Sequence, residues 1–310
     1  MMNTRQARVI DPVLTAAAQG YISAERVGNT LFPSVPVNVR GGTVLEFGRE
    51  AFRLYAARRA PGASTQTIGF GYKGKPFELV QDALNAVIPR ELMDEATAVP
   101  GVDMQRRGVN VVMNSLTLTL EYEQAQLATN PDNFPDGRKL ALAGASKWSD
   151  PDSDPEGDVA NAKEVVRLSC GVDPNRMVIS KPAFRALKRH PKIIERFKYT
   201  TAESITTSML AALLELDMLK VGQSVVLDVP ENAETFSDVW GNCGVLAYVP
   251  ASPEGPEEPS FGYTYTLKGH PYVEPVAWDN DRKSHVCGVT YERKPVVTGI
   301  ASGFLFQNVV

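Results

Sequence analysis

Histidine and cysteine are scarce in this chain, and their scarcity excludes a good deal of chemistry. Three of each occur in 310 residues. Cys170, Cys243 and Cys287 are far apart and odd in number, which argues against a disulfide framework. His285 and Cys287 stand two apart, but no Cys-x-x-Cys pair or His-rich partner accompanies them. The spacing therefore reads as one strand residue facing in and one facing out. His190 and His270 each precede a proline. There is no Gly-x-Ser-x-Gly elbow and no Walker lysine loop. No apolar run approaches the roughly 18 residues of a membrane span, and Met1 to Arg8 lack the apolar core of a signal peptide. Positive charge is not in excess either: a formal net charge of −4 leaves no overall basic footprint for tight nucleic-acid binding. The expectation is a soluble chain, made and used in cytosol, with no active site, metal or cofactor.

What is present is ordinary in bulk and uneven in detail. A hydrophobic content of 43% and a charged content of 22% fit a folded chain of one elaborate domain or two to three subdomains. Residues 1–40 read as an extended arm. Pro12, Gly20, Gly28, Pro33 and Pro36 break it up too much for a core helix, and Phe32-Pro33-Ser34-Val35-Pro36-Val37 favours extended backbone. Residues 41–76 read as a long hairpin, opened by Gly41-Gly42 and punctuated on its return by Gly62, Gly69, Gly71 and Gly74. Arg40, Arg49, Arg53, Arg58, Arg59, Lys73 and Lys75 are set there against only Glu46 and Glu50. A basic hairpin with so few core-type residues is either flexible or docked on a neighbouring surface.

Gly69-Phe70-Gly71-Tyr72-Lys73-Gly74 matches the dinucleotide-binding glycine pattern letter for letter. That chemistry needs a strand before the glycines, a helix from the last of them and an acid about 20 residues on. Thr65-Gln66-Thr67-Ile68 is a poor central strand and Lys75-Pro76 resists helix entry. A dinucleotide-binding enzyme is accordingly the weakest reading of the chain.

Helical signals dominate from Phe77 to Leu127, interrupted at Pro89 and at Val99-Pro100-Gly101. Asp103 is placed to cap a helix carrying Val109, Val112, Met113, Leu116, Leu120 and Leu127. Its length would be roughly 25 residues, or about 37 Å. Ser115–Leu120 alternates like a strand, but the flanking Glu121, Glu123, Gln124 and Gln126 favour helix. Residues 129–158 form a loop-rich linker whose second half carries Asp150, Asp152, Asp154, Glu156 and Asp158. The run reads as a solvated loop. Its Asp-x-Asp-x-Asp core invites calcium, but Pro151 and Pro155 interrupt it and no bidentate Glu closes a calcium loop.

Asp158 is then expected to cap a helix with Val159, Ala162, Val166 and Cys170 along one face, ended by Gly171 in the left-handed region. Met177-Val178-Ile179 reads as a short buried strand, Ser180 and Pro182 start the next helix, and Pro191 stops it. Ile205–Leu219 reads as a further amphipathic helix, followed by strands at Ser224–Asp228 and Val245–Val249. Alternating helices and strands predict a mixed α/β unit over 160–250. Ser252–Pro259 is a surface turn, and Phe261–Leu267, Val286–Tyr291 and Val296-Val297 are strands of an antiparallel sheet.

Asp173-Pro174-Asn175 ahead of an apolar strand, then a helix ending Leu187-x-x-His190-Pro191, resembles the major capsid proteins of tailed bacteriophages. The order of elements along nearly the whole chain is similar to that family. The resemblance implies an α+β fold of the Hong Kong phage type. Its parts would be an N-terminal arm (1–40), an extended E-loop hairpin (41–76), and a peripheral domain with a long spine helix and antiparallel sheet (77–160). An axial α/β domain (161–264) and strands returning to the peripheral domain (265–310) would complete it. The implied function is a major capsid protein, not an enzyme, whose copies form pentamers and hexamers of an icosahedral head around a double-stranded DNA genome. An encapsulin-like compartment shell is the alternative.

The resemblance also implies partners and a location. The partners would be other copies of the chain, a separate scaffolding protein, a portal, a decoration protein, and packaged DNA held without sequence-specific binding. The location would be the virion, with host cytoplasm during assembly, and no membrane. Members with a fused scaffold carry an extra N-terminal segment; because this chain opens on the arm, a separate scaffold or a mature form is expected. Some relatives crosslink Lys to Asn, but the sequence identifies no partner for Lys73 or Lys75. The expected contacts between copies set Arg49, Arg53, Arg58, Arg59, Lys73 and Lys75 against an adjacent acidic surface. Asp150, Asp152, Asp154 and Glu156 are one candidate for that surface.

Overall fold

The computed structural model describes residues 10–21, 26–43, 58, 76–97, 103–198, 205–227, 235–251 and 260–310. The described elements begin with α1 (Pro12–Gln19), β1 (Ser34–Val37) and β2 (Gly41–Thr43), then β3 (Pro76–Glu78), β4 (Val80–Pro89), α2 (Arg90–Thr97) and α3 (Met104–Thr129). A second run holds β5 (Lys139–Ala141), α4 (Pro155–Cys170), β6 (Arg176–Ser180), α5 (Lys181–Arg189), α6 (Pro191–Arg196) and α7 (Thr207–Leu213). It continues through β7 (Met218–Gly222), β8 (Val225–Leu227), β9 (Phe236–Asp238) and β10 (Cys243–Ala247). The last run is β11 (Gly262–Leu267), β12 (Tyr272–Val273), β13 (Ala277–Asp279), β14 (Ser284–Val297) and β15 (Gly303–Gln307).

Two large sheets organise most of these elements, while β2 with β3 and β8 with β9 form two-stranded sheets of their own. In the first, β14 pairs antiparallel with β4, β11, β12 and β13, and β1 adds to β11 in parallel. The second has the order β5-β15-β10-β6-β7. Its strands alternate sides as their pleat requires. Met177 and Ile179 join Val159, Val166, Leu187, Ile193 and Leu210 on the face covered by α4 to α7. Val178, Val245 and Leu305 face the other way, towards Ala125 and Ala128 in the last turns of α3. The first turns of α3 instead bury Val109, Val112, Met113 and Leu116 against Ile88, Cys287 and Val289 of the first sheet. At 26 residues α3 is about 39 Å long, so one helix serves both cores. Arg293, 1% exposed, ties it to the first sheet. Its guanidinium reaches Asp82 of β4 at 3.0 Å, donates to the Leu116 carbonyl at 2.9 Å and lies over the Tyr291 ring at 4.6 Å.

Several sequence expectations are corrected. Residues 80–89 are strand, not helix: Val80, Leu84, Val87 and Ile88 have helical spacing, but only Ile88 is buried. Pairing along β14 overrides the local pattern. Ile205–Leu219 is not one helix; α7 ends at Leu213, and Met218–Gly222 instead extends the second sheet as a parallel neighbour of β6. Between them Glu215 takes φ 53°, which no helix continues through. Helix α4 starts at Pro155, before Asp158, whose carboxylate accepts the Trp148 indole N–H at 3.0 Å. Pro191 does end α5, with His190 extended before it, but it also opens α6. The arm contains an eight-residue helix, capped by Asp11 accepting from Val13 and Leu14 amides, with Leu14 and Ala18 buried. The two strands expected near 286–297 are one continuous strand.

The final strand also departs from the expected return to the first sheet. β15 lies between β5 and β10, and its Phe304, Leu305 and Phe306 are all buried. A strand covered on both faces needs such an unbroken apolar run. The Gly69–Gly74 pattern, the Val99-Pro100-Gly101 break and the Ser252–Pro259 turn lie outside the described residues.

One buried carboxylate joins the arm to α3 and to the turn before β10. Glu121 of α3, 1% exposed, accepts from the Val27 amide at 3.1 Å, the Gly28 amide at 2.7 Å and the Trp240 indole at 2.7 Å. Gln124, one turn on, donates to Thr264 at 2.9 Å and to Asn29 at 3.2 Å. The approach is close enough that a Cβ on Gly28 would clash with the Gln124 amide. An orphaned buried donor costs about 1–3 kcal/mol. Glu121→Ala, which orphans three, should lower stability by about 3 kcal/mol or more, with Glu121→Gln less harmful. Urea unfolding measures this; equal stability of wild type and Glu121→Ala would refute the assignment.

Candidate functional site

Backbone pairing closes the base of the basic hairpin. Gly41, Gly42 and Thr43 of β2 lie opposite Glu78, Phe77 and Pro76 of β3. The Leu79 amide donates to the Arg40 carbonyl at 2.8 Å. The Phe77 ring stacks on Tyr265 of β11 with centroids 4.5 Å apart and planes 20° from parallel. Tyr265 is buried, which pushes its phenol up to about 12 and keeps it neutral.

A further link is ionic. Arg40 Nε and Nη2 donate to the two carboxylate oxygens of Glu292 at 2.7 and 3.0 Å, a two-point pairing that fixes direction as well as distance. The pair is lopsided: the Arg40 side chain is 73% exposed and that of Glu292 5%. The hydrogen bond from Arg40 holds the Glu292 carboxyl below its ordinary value, against the opposing effect of desolvation. Beneath it, the Glu292 amide donates to His270 Nδ1 at 3.1 Å, so a neutral ring carries its proton on Nε2, 3.9 Å from Glu292 Oε1. Desolvation lowers the pKa of His270. The base of the hairpin is thereby clamped to the central strand of the first sheet.

The acidic loop is built into its own chain. Asp150 Oδ1 accepts from the Asp152 amide at 3.0 Å, and the Asp150 carbonyl accepts from Ser153 Oγ at 2.8 Å and contacts His190 Nε2 at 3.0 Å. Lys192 donates to the carbonyls of Asp152 and Ser153 at 2.9 and 2.6 Å. Glu156 pairs with Arg196 at 3.2 Å. The Asp152 and Asp154 residues are exposed. Of the basic residues, Arg58 is exposed, while Arg49, Arg53, Arg59, Lys73 and Lys75 lie outside the described residues. His285 meets Trp278 edge-on at 5.0 Å and Cys287 is buried in the first core. Residues two apart on β14 share a face, so the expected division into one inward and one outward residue does not hold. Among the described residues no group of three or more His, Cys, Asp or Glu is placed to hold a metal, and no helix is long and apolar enough to cross a membrane.

The Arg40–Glu292 clamp was not legible beforehand. Arg40 counts among the basic residues of the hairpin, but nothing local marks Glu292 as its partner. The available signal was Glu292-Arg293 directly after the mostly apolar run Val286–Tyr291, since buried charges are normally paired.

Comparison with known proteins agrees with this architecture. Residues 134–226 match the family described as phage major capsid protein E. The major capsid protein of Burkholderia phage BcepMu is 34% identical over 307 residues, spanning 97% of each chain. The crystal structure of a phage-related protein from Bordetella bronchiseptica RB50 is 46% identical with a TM-score of 0.85, over 98% of this chain and 99% of that one. The capsid structure of cyanophage P-SCSP1u shares the fold, with a TM-score of 0.55 at 12% identity over 93% of this chain and 90% of that one.

The clamp should weaken in acid. Glu292 is lowered from 4.5, so its contribution is complete above that pH and is lost as pH falls through the lower folded value. His270 is lowered from 6.5, so its contribution is likewise lost as pH falls below 6.5. Protection of the Leu79 amide from hydrogen exchange, corrected for intrinsic rate, should therefore decline from pH 6.5 to below 4.5. Glu292→Gln should flatten that profile and lower protection at neutral pH. An unchanged profile in Glu292→Gln would show that the clamp does not govern the base.

Proposed function

The chain belongs to the phage major capsid proteins, and from that membership we infer that its copies self-assemble, as pentamers and hexamers, into the icosahedral head of a tailed phage around its double-stranded DNA genome. The observation that carries this reading is similarity along the full length, 34% identity over 97% of the chain, to a phage major capsid protein. The role is structural. Partners beyond the chain itself are a scaffolding protein, a portal and a decoration protein, and the packaged DNA is enclosed without sequence-specific contact. The protein works in the virion and is assembled in host cytoplasm.

A shell needs contacts in which unlike surfaces of identical copies meet and close into rings. Individually weak contacts suffice because many act together. An arm (1–40), a hairpin (41–76), a peripheral unit around the first sheet and an axial unit around the second, which β15 joins, supply the surfaces. The basic residues carried between β2 and β3, Arg49, Arg53, Arg58, Arg59, Lys73 and Lys75, dock against an adjacent copy. Within the acidic loop, exposed Asp152 and Asp154 are the available acceptors, while Glu156 already has Arg196. Rim charges of this kind set register and partner choice more than affinity.

Negative-stain microscopy of the expressed protein should show icosahedral particles or capsomer-like rings. A persistent monomer would overturn the shell reading, and particles enclosing protein cargo without a portal would mark a compartment shell. Arg58→Glu with Arg59→Glu should reduce assembly and change its salt dependence. Normal shells with normal salt dependence would rule out the hairpin contact.

A further inference from the structure

Helices α5 and α6 carry an excess of positive charge that their own chain leaves partly unanswered. Seven of residues 181–198 are Lys or Arg and only Glu195 is acidic, in a chain whose net charge is −4. Three of those cations are held internally: Lys181 by Gln223 at 2.9 Å, Lys192 by two loop carbonyls, and Arg196 by Glu156. Arg185, Lys188 and Arg189 are exposed and have no ion-pair partner among the described residues. Their spacing of three and four places them on one side of α5.

That side borders a cavity of about 370 Å³. Trp148, Pro151, Pro182 and Ala186 give it an apolar lining, and Arg185 and Arg189 also line it. An apolar hollow with cations beside it fits one kind of surface: acidic, with a protruding apolar side chain. A phosphate backbone would answer the cations but not the hollow.

Helix α2 is such a surface. Glu91, Asp94 and Glu95 outnumber Arg90, which pairs with Asp94 at 3.5 Å. Glu91 and Glu95 are exposed, and between them Leu92 is 46% exposed. The two surfaces cannot meet within one chain. Helix α2 packs beside β4 and α3, where α3 lies on the first sheet. Helices α5 and α6 lie on the face of the second sheet turned away from the far end of α3. The length of α3, about 39 Å, separates the two regions.

We propose that α2 of one copy docks on α5 of a second copy, with Leu92 seated in the cavity and Glu91 and Glu95 facing Arg185 and Arg189. The contact joins unlike surfaces, so it repeats from copy to copy as a shell requires. It rests on the shell reading above and adds a named interface to it.

Charge exchange tests the contact. Arg185→Glu with Arg189→Glu, or Glu91→Arg with Glu95→Arg, should each lower particle yield about tenfold at about 0.15 M salt, since like charges then face each other. Copies carrying all four changes should recover most of that yield. Wild-type yield from either pair, or no recovery in the combination, overturns the contact. Shells that form normally from the Arg185→Glu, Arg189→Glu variant but retain less DNA overturn it too, and assign the patch to nucleic acid. A second measurement avoids dependence on recovery: Leu92→Cys copies mixed with Ala186→Cys copies should form a disulfide-linked pair on oxidation. Absence of that pair in intact wild-type-like shells refutes the proposal. A wild type that forms no oligomer of any size instead overturns the shell reading, and this contact with it.

Discussion

The antiparallel ladder between β4 and β14 is the interaction on which the other contacts depend. Its register runs from Ser284 opposite Pro89 to Arg293 opposite Val80. Side chains alternate across a strand, so a slip of one residue would exchange the two faces. Cys287, Val289 and Tyr291 would leave the core under α3. Arg293 would turn away from the Leu116 carbonyl, and Glu292 would lose Arg40. One register thus fixes the long helix on one side and the base of the hairpin on the other.

The buried charges of this protein serve geometry rather than chemistry. Glu121, Glu292 and Arg293 are all buried, and each joins segments distant in sequence. Burying an ion is costly unless its hydrogen bonds are supplied, and a hydrophobic substitute of the same shape can be as stable. What a charge adds is direction. Glu121 accepts only where three N–H groups converge, and Arg40 meets Glu292 at two points. In a subunit that must present the same surfaces in every copy, fixed direction has evident value.

Local signals in the sequence were readable where the chain itself supplies the answer. Asp103 does cap α3, Gly171 ends α4 with φ 74°, and Ser180 caps α5 through the Ala183 amide. Each depends on neighbours within a few residues. Reading failed where a distant strand decided the outcome. Val80–Pro89 looks helical until β14 pairs with it, and Met218–Gly222 looks like the end of a helix until β6 lies alongside. The same limit applies to the site. The basic character of the hairpin was visible, but its anchor, Glu292, and the cavity beside α5 exist only once remote segments are assembled.

The position of β15 has a consequence in time. This strand sits inside the second sheet, pairing on one side with β5 and on the other with β10. Its partner β5 is synthesised with residues 142–302 still to come before β15 begins. During translation β5 therefore waits without a partner strand, and β10 keeps one edge unpaired. Closure over so long a separation is slow compared with local helix formation. Chains still being made cannot present finished surfaces to one another, so the topology itself delays assembly until after synthesis has passed Gln307.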